Sequence, residues 1–221
     1  MNRNYVLTEI AISYNRKHKH PRMKELIALV NDARAYYYQH TLSWQTDGVQ
    51  ILPLVSFSEF TLKMHPYVNE FHNLTRSMGM ITALMRLTFM PYPYTDYPYD
   101  NPLLKGLLIN DERRRLYSAK CDLVKRAHVT LDKLLSKLKV THINGVAKPR
   151  KFHDTIFLSV LEDCRLFDRL NIEECEVIDN LTKELRELAS KYKPKDIRRD
   201  AALRRNVYDK VESLADSMSN A

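Results

Sequence analysis

The chain has 221 residues, 44% of them hydrophobic, so it can bury the core of one ordinary domain or of two small ones. Only four residues are glycine, and neither a GxGxxG nor a GxxxxGKS/T pattern occurs, which leaves Rossmann and P-loop enzymes without support. The three cysteines include no CxxC pair, which argues against a disulfide framework and a four-cysteine zinc site.

The net charge of +8 is concentrated in one part of the chain. Residues 105–151 contain 13 Lys or Arg and 4 Asp or Glu, so this segment alone carries the positive excess. Such a segment attracts polyanions, because each phosphate that a lysine or arginine neutralises releases condensed counterions. Nucleic acid is the polyanion that we favour. An acidic protein partner and a solvated helix face are the alternatives.

The N-terminal part, residues 1–89, is predicted to be a mostly helical subdomain. Residues 5–14 fit either a short helix or a strand, because they are rich in β-branched and aromatic side chains. Residues 49–55 form a short apolar run that fits a strand. Apolar residues and helix-start signals predict helices over residues 21–42, 56–74 and 77–90.

Residues 90–103 are predicted to form an extended linker or arm. Four prolines between Met90 and Pro102 exclude a helix and favour polyproline-like backbone. The charged residues of this segment are acidic, whereas aromatic platforms that stack bases usually interleave basic residues. A protein partner or self-association is therefore the functional prediction for the arm, and a packed linker is the alternative. The tyrosines that would contact a partner are Tyr92, Tyr94, Tyr97 and Tyr99.

Residues 104–221 are predicted to form a basic helical bundle of four helices. Its first, long helix runs from about Asn110 to Lys139, with apolar residues close to heptad spacing. The pair Asn144-Gly145 predicts a turn or a small hairpin over residues 141–148. Further helices are expected over residues 149–170, 171–192 and 194–219. The predicted fold class is mainly α, with an extended arm between an N-terminal helical part and a C-terminal four-helix part.

Candidates for phosphate contacts lie on the long helix and in the loop that follows it. Arg126, Lys133 and Lys137 follow spacings of seven and four residues, so they share a helix face. No helix-turn-helix or zinc-finger pattern is visible, so we expect contacts to the phosphate backbone with little sequence preference. The predicted nucleic-acid-binding residues are Arg113, Arg114, Arg115, Lys125, Arg126, Lys133, Lys137, Lys148, Arg150 and Lys151.

No pattern in the sequence indicates an enzyme that uses a metal or a cofactor. His65 and His72 could share a helix face, but no Glu-x-x-His or HExxH pattern supplies a third zinc ligand. Cys121 lies beside Lys120 in the basic segment, yet no nucleophile signature surrounds it. We therefore expect no catalytic residue, no metal and no small-molecule cofactor.

One pattern supports a catalytic alternative. Arg34 is followed six residues later by His40 in a predicted helix, and this resembles the Arg-His motif of HEPN ribonucleases, which are small all-helical enzymes. The resemblance implies that the arginine would stabilise the developing phosphorane charge. It also implies that the histidine would act as general acid or base without a metal.

The predicted function is non-catalytic binding of nucleic acid, or of a nucleoprotein complex, through the phosphate backbone. The alternatives are a structural, assembly or accessory protein, in the style of a viral connector, that binds a protein partner through the arm, and a metal-independent ribonuclease. No apolar stretch approaches the roughly 18 residues of a membrane span, and the N-terminus has no secretory signal. A cytoplasmic location, in a cell or in an infected host, and no membrane partner are therefore expected.

Overall fold

The chain folds into two compact units, residues 1–119 and residues 120–221. A computed structural model describes residues 5–44, 48–90, 102–143, 146–149, 152–172 and 174–219. The fold is mainly α, as predicted, and it includes a small four-stranded sheet in the N-terminal unit. Within the described ranges, every helix is too short or too polar to span a bilayer.

The N-terminal unit contains an antiparallel sheet and two helices that pack on one of its faces. Its elements are β1 (Tyr5–Ser13), α1 (Met23–Gln39), β2 (Leu42–Ser43), β3 (Gln50–Pro53), α2 (Phe57–Ser77) and β4 (Leu84–Met90). The strand order is β2-β3-β1-β4, so β1 is central, and Leu7 lies opposite both Ile51 of β3 and Met90 of β4. This βαββαβ order, with its all-antiparallel pairing, is the connectivity of the ferredoxin-like, or split β-α-β, motif.

The helix-facing side of the sheet buries alternate residues of its strands, because side chains along a strand point to opposite faces. Ile10 and Ile12 of β1 pack against clusters built from α1 and α2. The Tyr37 hydroxyl donates a 2.8 Å hydrogen bond to the Thr8 carbonyl and so links α1 to β1. The buried face of α1 repeats at helical spacing, with Leu26, Val30, Ala33 and Tyr37.

The other face of the sheet is covered at one end. Tyr5 and Trp44 are both buried, with ring centroids 5.8 Å apart. The Tyr5 hydroxyl donates a 2.7 Å hydrogen bond to Glu112, and the Arg115 guanidinium lies 5.6 Å from the centroid of the Trp44 ring. Both of these charged residues belong to a third helix, α3 (Pro102–Leu138), whose first part therefore belongs to the N-terminal unit.

The C-terminal unit contains the rest of α3, a hairpin and four more helices. These elements are β5 (Val140–Ile143), β6 (Val146–Pro149), α4 (Ile156–Leu170), α5 (Glu176–Lys191), α6 (Pro194–Arg199) and α7 (Ala201–Ser219). Its core is built from helical stripes, such as Ile178, Leu181, Leu185 and Leu188 of α5. The α3 stripe is Leu123, Ala127, Leu131, Leu134 and Leu138.

The structure corrects several element assignments. Residues 77–90 are not a helix, because 84–90 form β4, in which Met85, Leu87 and Phe89 face the helices at two-residue spacing. The helix α3 begins at Pro102 and not near Asn110, so its acidic residues at 111 and 112 lie inside the helix. The helix expected from residue 149 begins at Ile156 because the chain before it forms β6.

The hairpin predicted over residues 141–148 is confirmed by β5 and β6, which pair from Val140 opposite Pro149 to Ile143 opposite Val146. The proline-rich segment of residues 91–101 lies outside the described residues. The predicted arm, and the domain bounds 1–89, 90–103 and 104–221 that depend on it, therefore stay predictions.

Candidate nucleic-acid interface

Three consecutive arginines that we predicted to bind nucleic acid lie on α3 within the N-terminal unit. Arg113 is exposed. Arg114 and Arg115 each donate a 2.7 Å hydrogen bond to one carboxylate oxygen of Asp111. Burial would raise the pKa of Asp111, but these hydrogen bonds outweigh it and lower that pKa. A phosphate group at this position would have to compete with a carboxylate that already binds two of the three arginines.

Four predicted cations lie on α3 within the C-terminal unit. Arg126 donates a 2.8 Å hydrogen bond to Asp122, one turn earlier. Lys125, Lys133 and Lys137 are exposed. The last two are four residues apart, so their side chains lie on neighbouring turns of one helix face. This face leads to the end of α3 at Leu138.

The predicted cations of the hairpin region are only partly described. Lys148 lies in β6, while Arg150 and Lys151 lie outside the described residues and stay predictions. The described chain resumes at Phe152, whose carbonyl accepts a 2.9 Å hydrogen bond from Arg198 of α6. The basic helix α6 therefore contacts the chain immediately after this pair of basic residues.

A buried arginine links the start of α7 to the end of α3. Arg204 of α7 is 4% exposed, and it donates a 2.7 Å hydrogen bond to the Leu138 carbonyl and a 2.5 Å hydrogen bond to the Lys137 carbonyl. These carbonyls end α3, where no later helical turn satisfies them and where the helix dipole favours a cation. Burial lowers the pKa of Arg204, but an arginine still stays charged at neutral pH.

We call the resulting cluster the α3–α7 junction, defined by Lys137, Lys139, Arg204, Arg205 and Tyr208. A cleft of about 310 Å³ opens there. The end of α3 and the start of β5 form one wall with Leu138, Lys139 and Val140. The opposite wall is formed by α7, which contributes Arg204, Arg205 and Tyr208 along one helix face.

Two acidic residues pair with the α7 wall of the cleft. Arg205 forms a 2.8 Å ion pair with Asp209, and its side chain is 73% exposed. The Tyr208 hydroxyl donates a 3.0 Å hydrogen bond to Glu212, also in an exposed position. Exposed ion pairs of this kind contribute about 0–1 kcal/mol, so an anionic ligand can compete with Asp209 for Arg205.

The sheet of the N-terminal unit does not present a comparable surface. Sheet-based RNA-binding modules stack bases on exposed aromatic side chains of the sheet. The described aromatic side chains on the face away from α1 and α2, Tyr5 and Trp44, are 6% and 2% exposed. Bases could not reach these rings unless α3 moved away.

The Arg34 and His40 pair gains no geometric support from the structure. The two residues are six positions apart, which places them about 120° apart around the axis of a helix. His40 follows the end of α1, where its ring stacks on Tyr36 at 4.0 Å and its Nδ1 lies 2.8 Å from the Tyr36 carbonyl. The ribonuclease alternative stays a prediction.

The histidines and cysteines that we considered as metal ligands or nucleophiles have other contacts or are buried. His72 Nε2 lies 3.0 Å from the Met85 carbonyl, while His65 lies 3.3 Å from the Asn69 amide. Cys164 and Cys175 are buried, and burial raises the pKa of the Cys164 thiol to about 11. Across the described ranges, no group of three potential metal ligands comes together. The arm residues Tyr92, Tyr94, Tyr97 and Tyr99 are not described, so the protein-docking alternative also stays a prediction.

Sequence reasoning did not select Lys139, Arg204, Arg205 or Tyr208 as site residues. The available signal was local: Arg204 and Arg205 end a basic cluster that includes Lys195, Arg198 and Arg199, and Tyr208 lies on their helix face. That signal does not indicate which part of the chain faces them. No family model matches this chain, and no curated protein or solved structure is significantly similar to it.

Proposed function

We propose that this protein binds nucleic acid, and that the C-terminal unit contacts the phosphate backbone through the α3–α7 junction. The observation that carries the proposal is the pair of hydrogen bonds from Arg204 to the carbonyls of Lys137 and Leu138. These bonds place a basic stretch of α7 beside the end of the most basic segment of the chain, although 66 residues separate Arg204 from Leu138.

The charges at the junction favour a polyanion over a single buried anion. Lys137, Lys139 and Arg205 of the junction are exposed, and the exposed Lys133 lies one helical turn before Lys137. Exposed cations distributed along a helix end can each neutralise a different phosphate, and each neutralisation releases condensed counterions. Sequence preference is not expected from such contacts, because phosphates carry no base information.

The test measures affinity for a fluorescent oligonucleotide at several salt concentrations. About three to four phosphate contacts imply a slope of log K against log salt of roughly −3. In the Lys137→Gln/Lys139→Gln double variant, we expect weaker binding and a slope that is shallower by about 1 to 2, because two contacts are lost.

The matched control is the Lys183→Gln/Lys210→Gln double variant. It removes the same net charge from exposed lysines of α5 and α7 that do not line the cleft. We expect the control variant to retain most of the slope of log K against log salt. Its substitutions reduce only the overall electrostatic attraction and remove no phosphate contact. No binding by the wild-type protein at low salt, or equal losses in the two double variants, would contradict the proposed interface.

A further inference from the structure

The cleft at the α3–α7 junction is lined by both charged and apolar side chains. Lys139, Arg204 and Arg205 supply positive charge, whereas Leu138, Val140 and the Tyr208 ring supply apolar surface. A nucleotide has the same two parts, a flat base and a charged phosphate. Proteins that bind single strands pair aromatic side chains with a positively charged groove in this way.

The size of the cleft limits what can enter it. Its volume of about 310 Å³ is at the lower end of the range for small-ligand sites, roughly 300–1,000 Å³. One nucleotide of a flexible strand fits this range. A base held inside a duplex cannot reach an aromatic wall without leaving its stack, which has an energetic cost.

We infer that this cleft holds one nucleotide of a single-stranded nucleic acid, with the base against Tyr208 and Val140 and a neighbouring phosphate on Lys139 and Arg205. The inference rests on the proposed function and sharpens it from nucleic acid in general to single strands. It adds a non-electrostatic contact to an interface that otherwise depends on charge.

The buried arginine has a positioning role in this arrangement. Arg204 lines the cleft, and its guanidinium is held by the two α3 carbonyls. It therefore keeps a fixed positive charge in the wall and holds α7 against the end of α3. Arg205 instead contacts the phosphate. Its guanidinium lies 5.4 Å from the centroid of the Tyr208 ring, and its ion pair with Asp209 is exposed at the surface.

The test compares a single-stranded oligonucleotide with a duplex of the same sequence, using wild type, Tyr208→Ala and Tyr208→Phe. For the single strand, we expect Tyr208→Ala to weaken binding roughly tenfold, within the range measured for the loss of one stacked base. Its salt slope should match that of the wild type, since no charge is removed. Tyr208→Phe should bind like the wild type, because the ring is retained and only the hydroxyl bond to Glu212 is lost.

Duplex binding should be weaker than single-strand binding and should not change in either Tyr208 variant. Unfolding midpoints provide the folding control for both variants. A free nucleoside monophosphate is included as a competitor. We expect it to compete poorly, since it lacks the neighbouring phosphates of a strand. If the monophosphate binds as tightly as the strand, the cleft is a small-molecule site and the inference is overturned.

The two proposals can fail separately. If Tyr208→Ala binds single strands as the wild type does, while Lys137→Gln/Lys139→Gln binds them weakly, the cleft inference is wrong and the proposed interface stands. If Tyr208→Ala weakens duplex and single-strand binding equally, the inference is also overturned. If the wild-type protein binds neither nucleic acid at low salt, both proposals are wrong.

Discussion

The two units each place an arginine against an aromatic ring, but they do so in different environments. In the N-terminal unit, Arg115 lies 5.6 Å from the centroid of Trp44, its side chain is 22% exposed, and the indole is 2% exposed. In the C-terminal unit, Arg205 lies 5.4 Å from the centroid of Tyr208, and its side chain is 73% exposed beside an open cleft.

Burial, and not residue type, separates the Arg115–Trp44 packing contact from the proposed binding surface at Arg205 and Tyr208. Both arginines have an aspartate four residues away, Asp111 before Arg115 and Asp209 after Arg205, and both ion pairs have lengths near 2.8 Å. A buried aromatic ring stabilises the fold and cannot stack on a ligand. A ring that faces a cleft open to solvent contributes little to stability and remains accessible to a ligand.

The largest effect that we predict is the difference in stability between a variant without the Trp44 ring and one without the Tyr208 ring. Trp44→Ala removes one of the largest fully buried side chains and should lower the free energy of unfolding of the N-terminal unit by about 3–5 kcal/mol. Tyr208→Ala should cost less than about 1 kcal/mol, because the ring is only partly buried. Urea unfolding followed by circular dichroism measures both. Equal losses would show that the Tyr208 ring also supports the fold.

The next contrast is between the neighbouring arginines of α7. Arg204→Met should destabilise the C-terminal unit by about 2–3 kcal/mol, since it leaves two helix-end carbonyls without their donor while retaining most of the side-chain volume. Arg205→Met should change stability by no more than about 0.5 kcal/mol, as exposed substitutions usually do, yet weaken nucleic-acid binding.

Thermal or urea unfolding of the two methionine variants, together with oligonucleotide affinity, separates the two roles. If Arg205→Met is the more destabilising of the pair, the assignment of Arg204 to structure and Arg205 to binding is wrong. Arg204→Lys is a useful additional variant. It retains the charge, but it cannot reproduce two hydrogen bonds from a planar guanidinium, so most of the loss should persist.

Local pattern was enough to predict amphipathic helices in the C-terminal part, although the starts of α3 and α4 were wrong, but it did not predict β4 of the N-terminal sheet. The stripe from Ile178 to Leu188 marks α5 as amphipathic without reference to any other part of the chain. The strand β4 is different, because its partner is β1, and the paired residues Ile12 and Met85 are 73 positions apart in the chain. In an apolar, methionine-rich run, the spacing of hydrophobic residues does not distinguish a strand from a helix unless the pairing partner is known.

The candidate site shows the same division between local and distant information. The spacing of Arg126, Lys133 and Lys137 predicts a shared face of α3 from local sequence alone, and the structure has Lys133 and Lys137 exposed. The role of Arg204 depends on hydrogen bonds to carbonyls 66 and 67 residues earlier, and backbone carbonyls carry no sequence signal. For the same reason, Tyr208 could not be assigned to a cleft whose other wall is the end of α3.

The smallest expected effects come from two aspartates whose pKa values shift in opposite directions in the two units. Hydrogen bonds from Arg114 and Arg115 hold the pKa of Asp111 below its ordinary value despite burial. Burial raises the pKa of Asp163 in the C-terminal unit, against the opposing effect of a 2.9 Å hydrogen bond from Thr130. Asp111 therefore stabilises the fold when ionised, and Asp163 stabilises it when protonated.

Asparagine variants of the two aspartates should consequently change stability in opposite directions, each by less than about 1 kcal/mol at neutral pH. Asp111→Asn should be less stable than the wild type above about pH 4, and the difference should shrink in acid as Asp111 becomes protonated. Asp163→Asn retains an acceptor for Thr130 and should be slightly more stable than the wild type, by a margin that grows as pH rises from about 4 towards 7. Urea midpoints at several pH values measure both differences. Changes of the same sign would mean that burial acts on both carboxylates alike.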